Sequence, residues 1–460
     1  MRAHEAGALH GDIGTRPAWL RPPQDVNALV PHLWPRTVTR SADGAVAVGG
    51  LGVRELAEEF GTPAYVLDED DLRTRCREFR AAFPDHDVYY AGKAFLCRAV
   101  VRVIAEEGLH LDICTGGELA VALSAGMPPE RIGFHGNNKS TGELARALDA
   151  GLGRIIVDSF AEIERLSALA RERGVRPKVL VRVTVGVEAH THEFIATAHE
   201  DQKFGFSLAG GAAFEAAMRI IDEDVLDLRG LHSHIGSQIF DTSGFEVSAR
   251  RVLDLQAQIR DARGVELPEL DLGGGFGIAY TTQDDPASPY DLAKRLNKIV
   301  DSECELHDLA VPRLSIEPGR AIVGPAVFTL YEVGTVKDVD GIRTYVSVDG
   351  GMSDNIRTAL YDASYSATLA SRASVAGPIL ARVVGKHCES GDVVVKDEFL
   401  PADVQPGDLL AVPGTGAYCR SMASNYNHVP RPPVVAVRDG QARVIVRRET
   451  EDDLLALDVG

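Results

Sequence analysis

IGFHGNNKSTGELARALDAGLGRIIVDSFAEIERLSALARER, residues 132–173, contains one pattern twice. In each copy a short apolar run, Ile132–His135 or Arg154–Val157, precedes an amphipathic stretch, Thr141–Ala150 or Ala161–Arg173. Short apolar runs predict buried strands, and amphipathic stretches predict helices that cover them. The segment therefore predicts two strand-then-helix units of a parallel sheet.

The starts of both helices carry a local signal. Ser140 and Glu143 are three residues apart, as are Ser159 and Glu162. At this spacing a hydroxyl and a carboxylate satisfy the free N–H groups of a helix's first turn. We therefore expect the two helices to begin at these serines.

Eight such units follow one another along the chain. Eight units over about 250 residues favour a closed (β/α)8 TIM-type barrel over an open doubly wound sheet. The predicted strands are Val88–Ala91, Leu109–Ile113, Ile132–His135, Arg154–Val157, Lys178–Val185, Leu228–His234, Leu270–Leu272 and Arg313–Ile316. The predicted helices are Cys97–Glu107, Glu118–Ala125, Thr141–Ala150, Ala161–Arg173, Gly211–Ile221, Glu246–Ala262 and Asp291–His307.

The character of the sequence changes after Gly319. Runs rich in Val, Thr and Tyr alternate with turn residues, which is typical of β-structure. They are Ala326–Val333, Arg343–Val348, Leu380–Val384, Asp392–Val395 and Leu409–Val412, followed by a predicted hairpin of Val434–Val437 and Ala442–Val446 around Asp439-Gly440. We expect four parts: a mobile leader (1–25), a segment packing with the β domain (26–61), the barrel (62–322) and a C-terminal β domain (323–460).

The composition of the chain excludes several classes of partner. Its 48 Lys and Arg against 67 Asp and Glu give a net charge of −19, which should repel nucleic acid and anionic membranes. With 45% hydrophobic and 25% charged residues, it is an ordinary folded protein. Six cysteines without a CxxC pair favour free thiols in a reducing compartment, the cytoplasm.

Polar motifs follow four predicted barrel strands, at the rim where such barrels have their active sites. Strand one ends in Tyr89-Tyr-Ala-Gly-Lys93, where apolar surroundings would lower the lysine pKa and suit it to binding an aldehyde covalently. Strands six and seven end in turns suited to anions, His232-Ser-His-Ile-Gly-Ser237-Gln and Asp271-Leu-Gly-Gly-Gly-Phe-Gly277. Strand eight ends in Glu317-Pro-Gly-Arg320, a carboxylate and a guanidinium on a rigid turn.

Each motif alone has an ordinary structural explanation. A rim lysine reaches solvent, a histidine often packs in a core, and a glycine turn is common. Together, one lysine, one carboxylate, one stacking histidine and two phosphate-binding turns match pyridoxal phosphate. The lysine would hold the aldehyde of this cofactor, and the carboxylate would keep its ring nitrogen protonated.

These motifs, with Cys388-Glu-Ser-Gly-Asp392 and Gly416-Ala-Tyr418, resemble the diaminopimelate decarboxylase family from about residue 50 to the end. The family belongs to the fold-type III, alanine-racemase-like pyridoxal-phosphate enzymes, which join a barrel to a β domain and act as dimers with shared active sites. The resemblance implies decarboxylation of meso-2,6-diaminopimelate to L-lysine and CO2, the last step of lysine biosynthesis.

The resemblance also implies roles for single residues. Lys93 would bind the cofactor aldehyde, and Cys388 would donate a proton from the partner subunit. The implied cofactor-binding residues are Lys93, His234 (stacked on the ring), Ser237, Gly274, Gly275, Glu317 (paired with the ring nitrogen), Gly319, Arg320 and Tyr418. Those implied at the far end of the substrate are Arg320, Arg357, Tyr361, Glu389 and Tyr418.

The spacing of Arg357 and Tyr361 supports this substrate independently. The two residues are four apart, so on a helix both project from one face and can clamp a carboxylate. Diaminopimelate carries a carboxylate at its far end, whereas ornithine and arginine present only a cation there. A surface arginine beside a packed tyrosine is the alternative explanation.

Two groups of residues suggest a metal site. His190, His192 and His199 follow strand five, and His387 adjoins Cys388. The first lacks an acidic or cysteine ligand at zinc-like spacing, and a proton-donating thiol explains the second better, so we expect no metal. The resemblance makes the first an active-site loop that ends at Lys203-Phe-Gly205.

Other functions use the same architecture. A decarboxylase of another basic amino acid is disfavoured by Arg357 and Tyr361, and a racemase needs a second base opposite Lys93. A non-catalytic pyridoxal-phosphate carrier would leave the motif around Cys388 without a purpose.

Overall fold

The computed structural model describes residues 16–186, 202–339 and 342–460. The chain forms two compact units. One consists of Arg73–Gly277 and Pro286–Ile322, and the other of the chain up to Leu72, Ile278–Asp285 and Val323–Gly460. None of the described helices is both long and apolar enough to cross a membrane.

The first unit contains the predicted closed barrel. Eight strands pair in parallel with their neighbours in chain order, and the eighth pairs with the first. They are Asp87–Ala91, His110–Ile113, Ile132–Phe134, Arg154–Val157, Lys178–Thr184, Asp227–His232, Glu269–Asp271 and Arg313–Ile316. The short strand Phe206–Ser207 pairs with the fifth. The barrel confirms the fold class that the sequence predicts.

Helices cover the outside of the barrel between its strands. They are Arg98–Glu106, Gly116–Ser124, Thr141–Ala150, Phe160–Arg173, Ala212–Glu223, Ser243–Arg263 and Pro289–His307, and the short helix Arg320–Val323 follows the eighth strand. Ser140 and Ser159 both accept a hydrogen bond from the backbone N–H three residues later. Only Ser140 has the reciprocal bond, from its own N–H to Glu143; Glu162 instead pairs with the buried ammonium of Lys139 at 2.7 Å.

The second unit is built on a β-sheet, as the sequence predicts. Its strand order is Val393–Pro401, Pro378–Val384, Arg343–Val348, Val327–Val339, Ala64–Asp68, Val434–Arg438 and Gln441–Val446. Leu409–Pro413 pairs with Val327–Val339 and with Thr368–Leu369. The second unit also contains a small sheet of Thr39–Arg40, Val46–Val48 and Leu51–Gly52 and the helices Val53–Phe60, Arg357–Tyr361 and Glu451–Leu455.

The two units differ from the expected division in two places. Ala64–Asp68, expected within the barrel, is buried along its length and pairs with Val327–Val339 and Val434–Arg438. Ile278–Asp285 also belongs to the second unit. An apolar run fits either sheet, and its partners are remote in sequence, so periodicity does not decide between them. The helix Glu69–Ala82 follows this strand and continues into the barrel unit.

The segment before the first unit contributes to the core of the second. Leu33, Trp34 and Val46 lie in one buried cluster with Phe328 and Val435. The rings of Trp34 and Phe328 are 6.0 Å apart. Burying side chains of this size stabilises a fold by about 1.5–3 kcal/mol each.

Candidate active site

Glu317 lies at the centre of a buried polar cluster at the carboxyl ends of the barrel strands. Its Oε1 is 3.1 Å from Nε2 of His232 and 3.2 Å from Nε2 of His135. His135 also lies 3.4 Å from a carboxylate oxygen of Asp112. All four side chains are buried, and they come from strands two, three, six and eight or directly follow them. The closed barrel therefore assembles a site from residues far apart in sequence.

The carboxyl groups in and beside this cluster have pKa values that are shifted in opposite directions. Burial would raise the pKa of Glu317, but the imidazoles of His135 and His232 lower it well below its usual value. Burial, followed by the charge of Glu317, raises the pKa of Asp112 and that of Asp271 well above theirs. Carboxyl groups whose pKa values are driven apart typify functional sites. Glu317 is therefore the most acidic of the three carboxyl groups.

The imidazoles of the cluster stay neutral. Burial lowers the pKa of His135, His232 and His234, against the opposing effect of Glu317. Oε1 of Glu317 is buried and, despite the short distances to the two imidazoles, has no well-directed hydrogen bond from the described residues. An anionic oxygen of this kind favours an N–H donor from a bound group.

The glycine turn after strand seven, residues 273–277, packs directly against the end of strand six. The N–H of Gly274 donates a hydrogen bond to Nδ1 of His234 at 3.2 Å, which fixes the orientation of the imidazole. A Cβ at Gly274 would lie 2.2 Å from the carbonyl oxygen of Glu317, and one at Gly275 would lie 2.5 Å from that of Gly236. Only glycine allows this approach, which brings backbone N–H groups toward a ligand.

Ser237, which follows strand six, contacts Arg320, which follows strand eight. Nη2 of Arg320 donates a hydrogen bond to Oγ of Ser237 at 2.9 Å, and Arg320 is buried. A Cβ at Gly319 would lie 2.8 Å from that of Ala91, so the Glu317–Arg320 turn packs tightly on the end of strand one. The structure thus brings together the predicted motifs of strands one, six, seven and eight.

Lys93 lies on a short 3₁₀ helix, Gly92–Ala94, directly after strand one. Its neighbours Gly92 and Ala94 are buried, but Lys93 itself is exposed in this chain. This exposure differs from the desolvated position that the sequence predicts for the side chain of Lys93. The motif predicts that Lys93 follows a barrel strand, but it does not predict how deeply the side chain is buried.

In the second unit, Cys388 lies in the loop between Pro378–Val384 and Val393–Pro401 and is exposed. Its N–H donates to Oδ1 of Asn427 at 3.2 Å. The buried carboxylate of Asp392 fixes the loop by accepting hydrogen bonds from the N–H groups of Met352 at 2.6 Å and His387 at 2.7 Å. The thiol is thus presented on a well-anchored loop.

His387 and Glu389 flank the thiol and have local partners. Nε2 of His387 lies 2.8 Å from the hydroxyl of Ser353, and Nδ1 lies 3.3 Å from Asn427. Because both ring nitrogens are hydrogen-bonded, the geometry favours a structural role for His387 over zinc binding. The half-buried Glu389 accepts a hydrogen bond from the N–H of Gly391 at 3.3 Å.

Tyr418 follows a tight turn in the second unit. Its φ of 67° lies in the left-handed region, which is rare outside glycine. The turn is tight because Gly416 packs so closely that a Cβ there would lie 1.8 Å from the carbonyl oxygen of Val323. Such a conformation is held only where surrounding structure enforces it, often at a functional position.

Arg357 and Tyr361 are the two ends of the helix Arg357–Tyr361, so the predicted helical spacing is present. Arg357 is only 5% exposed, which excludes the alternative of a surface arginine. Its guanidinium contacts the rings of Tyr280 and Tyr365 and donates a hydrogen bond to the hydroxyl of Tyr365. Tyr361 is half-buried.

Sequence reasoning missed Asp112 and His135, and it gave no role to His232. Polar residues at the carboxyl end of a barrel strand are the signal that would have found them. His135, His232 and Glu317 are also close enough to hold a metal ion, with ligand atoms within 4.8 Å of one another. The suggested cluster of His190, His192 and His199 lies outside the described residues.

Comparison with known proteins decides the family. Residues 69–324 match the model of the pyridoxal-dependent decarboxylases, pyridoxal binding domain. The chain is 59% identical over 443 residues to the diaminopimelate decarboxylase of Mycobacterium bovis, covering 94% of this chain and 98% of the relative. It belongs to the diaminopimelate decarboxylase family. The enzyme of Mycobacterium leprae is 56% identical over 471 residues, covering 100% of both chains.

The solved structures agree with this family. The structure of diaminopimelate decarboxylase from M. jannaschii in co-complex with L-lysine matches with a TM-score of 0.86 and 32% identity. The match covers 93% of this chain and 98% of that one. The family resemblance stated from the motifs is therefore confirmed over nearly the whole chain.

The residues present fit the pyridoxal group that the family binds. The ionised, buried Oε1 of Glu317 needs an N–H donor, which a protonated pyridine nitrogen provides. The neutral ring of His234 is held in one orientation by Gly274, as ring stacking requires. Ser237 and the close-packed Gly275 supply a hydroxyl and a glycine turn of the kind that binds phosphate.

Proposed function

We propose that this chain decarboxylates meso-2,6-diaminopimelate to L-lysine and CO2, the last step of lysine biosynthesis. The observation that carries the chemistry is the buried carboxylate of Glu317, with a pKa held well below its usual value beside the imidazoles of His135 and His232 at the barrel rim. Membership of the diaminopimelate decarboxylase family supports the substrate.

Pyridoxal 5′-phosphate, when bound, supplies a protonated ring that accepts the electron pair left by the departing carboxylate. In this proposal Lys93 binds the aldehyde covalently, and Glu317 holds the proton on the ring nitrogen. The raised pKa values of Asp112 and Asp271 make Glu317 the most acidic of these three buried carboxyl groups. This matters because a second anion close by would raise the pKa of Glu317 and oppose its ionisation.

The remaining barrel residues bind and orient the cofactor in this proposal. His234 stacks on its ring, and its neutral state avoids repulsion from a protonated pyridine. Ser237, Gly274, Gly275, Gly319 and Arg320 hold the phosphate, with Tyr418 as a further cofactor contact. The hydrogen bond between Arg320 and Ser237 holds these two side chains in a fixed relative position.

Cys388 is proposed to deliver the proton that completes L-lysine at the carbon that lost CO2. We place it in the site of the partner subunit, which makes the active form a homodimer with shared active sites. The exposure of Cys388 in the single chain is consistent with a role toward a partner. A biosynthetic enzyme with six free cysteines suits the reducing cytoplasm, where we place it.

Arg357 is proposed to bind the distal carboxylate of the substrate, together with Arg320, Tyr361, Glu389 and Tyr418. A buried guanidinium whose described contacts are uncharged side chains is suited to a carboxylate ligand. Ornithine and arginine have no distal carboxylate, so their binding would leave this buried charge uncompensated. The proposal therefore predicts strong preference for diaminopimelate.

The test is CO2 release by the purified protein with pyridoxal phosphate, comparing meso-diaminopimelate with lysine, ornithine and arginine. Release from diaminopimelate with formation of lysine is expected. Release from another of these substrates alone would keep the chemistry but remove Arg357 from substrate selection. Cofactor binding without release from any of them would favour a non-catalytic carrier.

A further inference from the structure

Arg357 is a buried cation in an uncharged environment. Its guanidinium carbon lies 4.8 Å from the ring centroid of Tyr280 and 5.6 Å from that of Tyr365. Burial would lower the pKa of Arg357, but the neighbouring Tyr280, Tyr365 and Cys419 raise it above its usual value. The side chain therefore stays charged, and its charge is stabilised by two aromatic faces.

The hydrogen bonds of the guanidinium are asymmetric. Nη1 donates to the hydroxyl of Tyr365 at 2.5 Å, whereas Nε is buried and has no hydrogen-bond partner among the described residues. Nε and Nη2 form the side of the fork that binds a carboxylate bidentately. Tyr365 thus holds the opposite side of the group, and a buried donor remains on the carboxylate-binding side.

The two tyrosines are themselves held in place. Tyr280 and Tyr365 are 6% and 2% exposed, and their rings meet edge to face at 5.0 Å. The ring of Tyr280 also lies against Gly414, where a Cβ would come within 3.2 Å of it. The hydroxyl of Tyr365 lies 3.6 Å from Sγ of the buried Cys419. Two closely packed tyrosine rings therefore hold the guanidinium of Arg357.

We propose that Tyr280 and Tyr365 are positioning residues that aim the Nε side of Arg357 at the distal carboxylate of the substrate. This proposal rests on the proposed function of Arg357. Tyr365 fixes the rotation of the guanidinium through Nη1, and Tyr280 fixes its plane by stacking. A preorganised fork binds a carboxylate without first losing side-chain freedom.

The test uses the holoenzyme and two inhibitors that differ in the carboxylate. L-lysine keeps the distal carboxylate, and cadaverine is the same diamine chain without it. Inhibition constants of both are measured against meso-diaminopimelate, with kcat and KM, and L-lysine binding is also measured by calorimetry. Loss of a hydrogen bond to a charged group predicts about tenfold weaker L-lysine binding in Tyr365→Phe.

The pattern of effects separates positioning from a structural role. In Tyr365→Phe we expect KM for diaminopimelate to rise with the L-lysine constant, while kcat and cadaverine inhibition change by less than about threefold. Tyr280→Leu should behave like Tyr365→Phe. The matched variant Tyr280→Phe keeps the ring and should weaken L-lysine binding less than Tyr280→Leu does.

Two results would overturn the proposal: unchanged L-lysine binding in both Tyr365→Phe and Tyr280→Leu, or equal weakening of L-lysine and cadaverine. If Tyr365→Phe fails to fold, the comparison of L-lysine binding between Tyr280→Leu and Tyr280→Phe tests the proposal. Failure of the underlying function has a different signature. In that case Arg357→Ala itself leaves L-lysine binding unchanged.

Discussion

Oε1 of Glu317 and Nε2 of His232 lie 3.1 Å apart in the barrel, on the ends of its eighth and sixth strands. Neither side chain is more than 4% exposed. Burial lowers the pKa of His232, whereas the electrostatic effect of His135 and His232 holds the pKa of Glu317 well below its usual value despite burial. This relationship makes Glu317 suited to hold a proton on a bound aromatic nitrogen.

Removing the charge of Glu317 should therefore slow catalysis while the fold persists. Glu317→Gln keeps the size of the side chain but no longer stabilises a protonated ring nitrogen, so we expect kcat to fall by about 10²–10³-fold. Steady-state kinetics measure this. Glu303→Gln, which alters a buried glutamate on an outer helix, serves as the control, and equal losses in the two variants would contradict the role of Glu317.

Lys93→Ala should lose the covalent link to the cofactor. The expected result is disappearance of the absorption band that the linked cofactor gives, together with loss of nearly all turnover. Absorption spectra with added pyridoxal phosphate show the difference, and Lys294→Ala on the outer helix Pro289–His307 should retain the band. An unchanged spectrum in Lys93→Ala would exclude Lys93 as the attachment point.

Cys388→Ala should leave cofactor binding intact and slow turnover. Loss of a positioned proton donor costs about 10²–10⁴-fold in rate. Cofactor spectra and CO2 release are measured together, with Cys304→Ala, a thiol on an outer barrel helix, as the matched variant. Full activity in Cys388→Ala would remove this thiol from the proton-donor role.

Asp354 should make stability depend on pH. Burial raises its pKa from 3.8 to about 7, against the opposing hydrogen bonds from Tyr331 and Gly351. Between about pH 4 and 7 the folded chain binds more protons than the unfolded chain, so stability is lost as pH rises through this window. Asp354→Asn lacks this titration and should gain about 1–3 kcal/mol relative to the unmodified protein between pH 5 and 8.

Urea unfolding at several pH values checks this effect of Asp354. The difference in stability between Asp354→Asn and the unmodified protein should grow toward alkaline pH. The exposed Asp452→Asn controls for the change in net charge. A pH-independent difference between Asp354→Asn and the unmodified protein would show that Asp354 is ionised throughout this range.

The amino-terminal end of the barrel should contribute stability and no catalysis. There the Nε and Nη2 atoms of Arg154 contact both carboxylate oxygens of Glu269 at 2.7 and 2.5 Å, linking strands four and seven. Glu269→Ala leaves a half-buried guanidinium unpaired and should cost about 1–3 kcal/mol. Unfolding curves and kinetics measure both properties, and kcat/KM should not change.

The matched control for Glu269→Ala is Glu246→Ala. Glu246 pairs with Arg250, and both side chains are more than half exposed. Solvent screens such a pair, so its loss should change stability by less than about 0.5 kcal/mol. A loss of activity in Glu269→Ala at unchanged stability would contradict the assignment of this end of the barrel.

Much of the fold could be predicted because its signals are local. The helix Thr141–Ala150 and the strands Arg154–Val157 and Arg313–Ile316 have the predicted bounds, since capping serines and apolar periodicity act within a few residues. Most other boundaries moved by one or two residues, where helix ends and strand ends are set by neighbouring elements. The hairpin around Asp439-Gly440 formed as predicted because both residues adopt positive φ.

The candidate site was predictable only in part. The motifs containing Lys93, His234 and Glu317 could be placed at strand ends from the barrel pattern alone. The sequence did not predict the exposure of Lys93 or the partners of Glu317, because burial and ionisation depend on groups from other strands. Spacing likewise placed Arg357 on a helix but gave no information on Tyr280 and Tyr365, which reach it through tertiary packing.

The sequence by itself determined the strand-then-helix order, the change to β-structure after the eighth strand, and the motifs that identify the family. Tertiary structure alone decided that Ala64–Asp68 joins the second sheet, that Glu317 is the ionised carboxylate, and that Arg357 is buried between aromatic rings. The physical reason is the distance along the chain over which each kind of interaction acts. Periodicity and capping act along the chain, whereas desolvation, electrostatic coupling and aromatic packing act between groups that only the fold brings together.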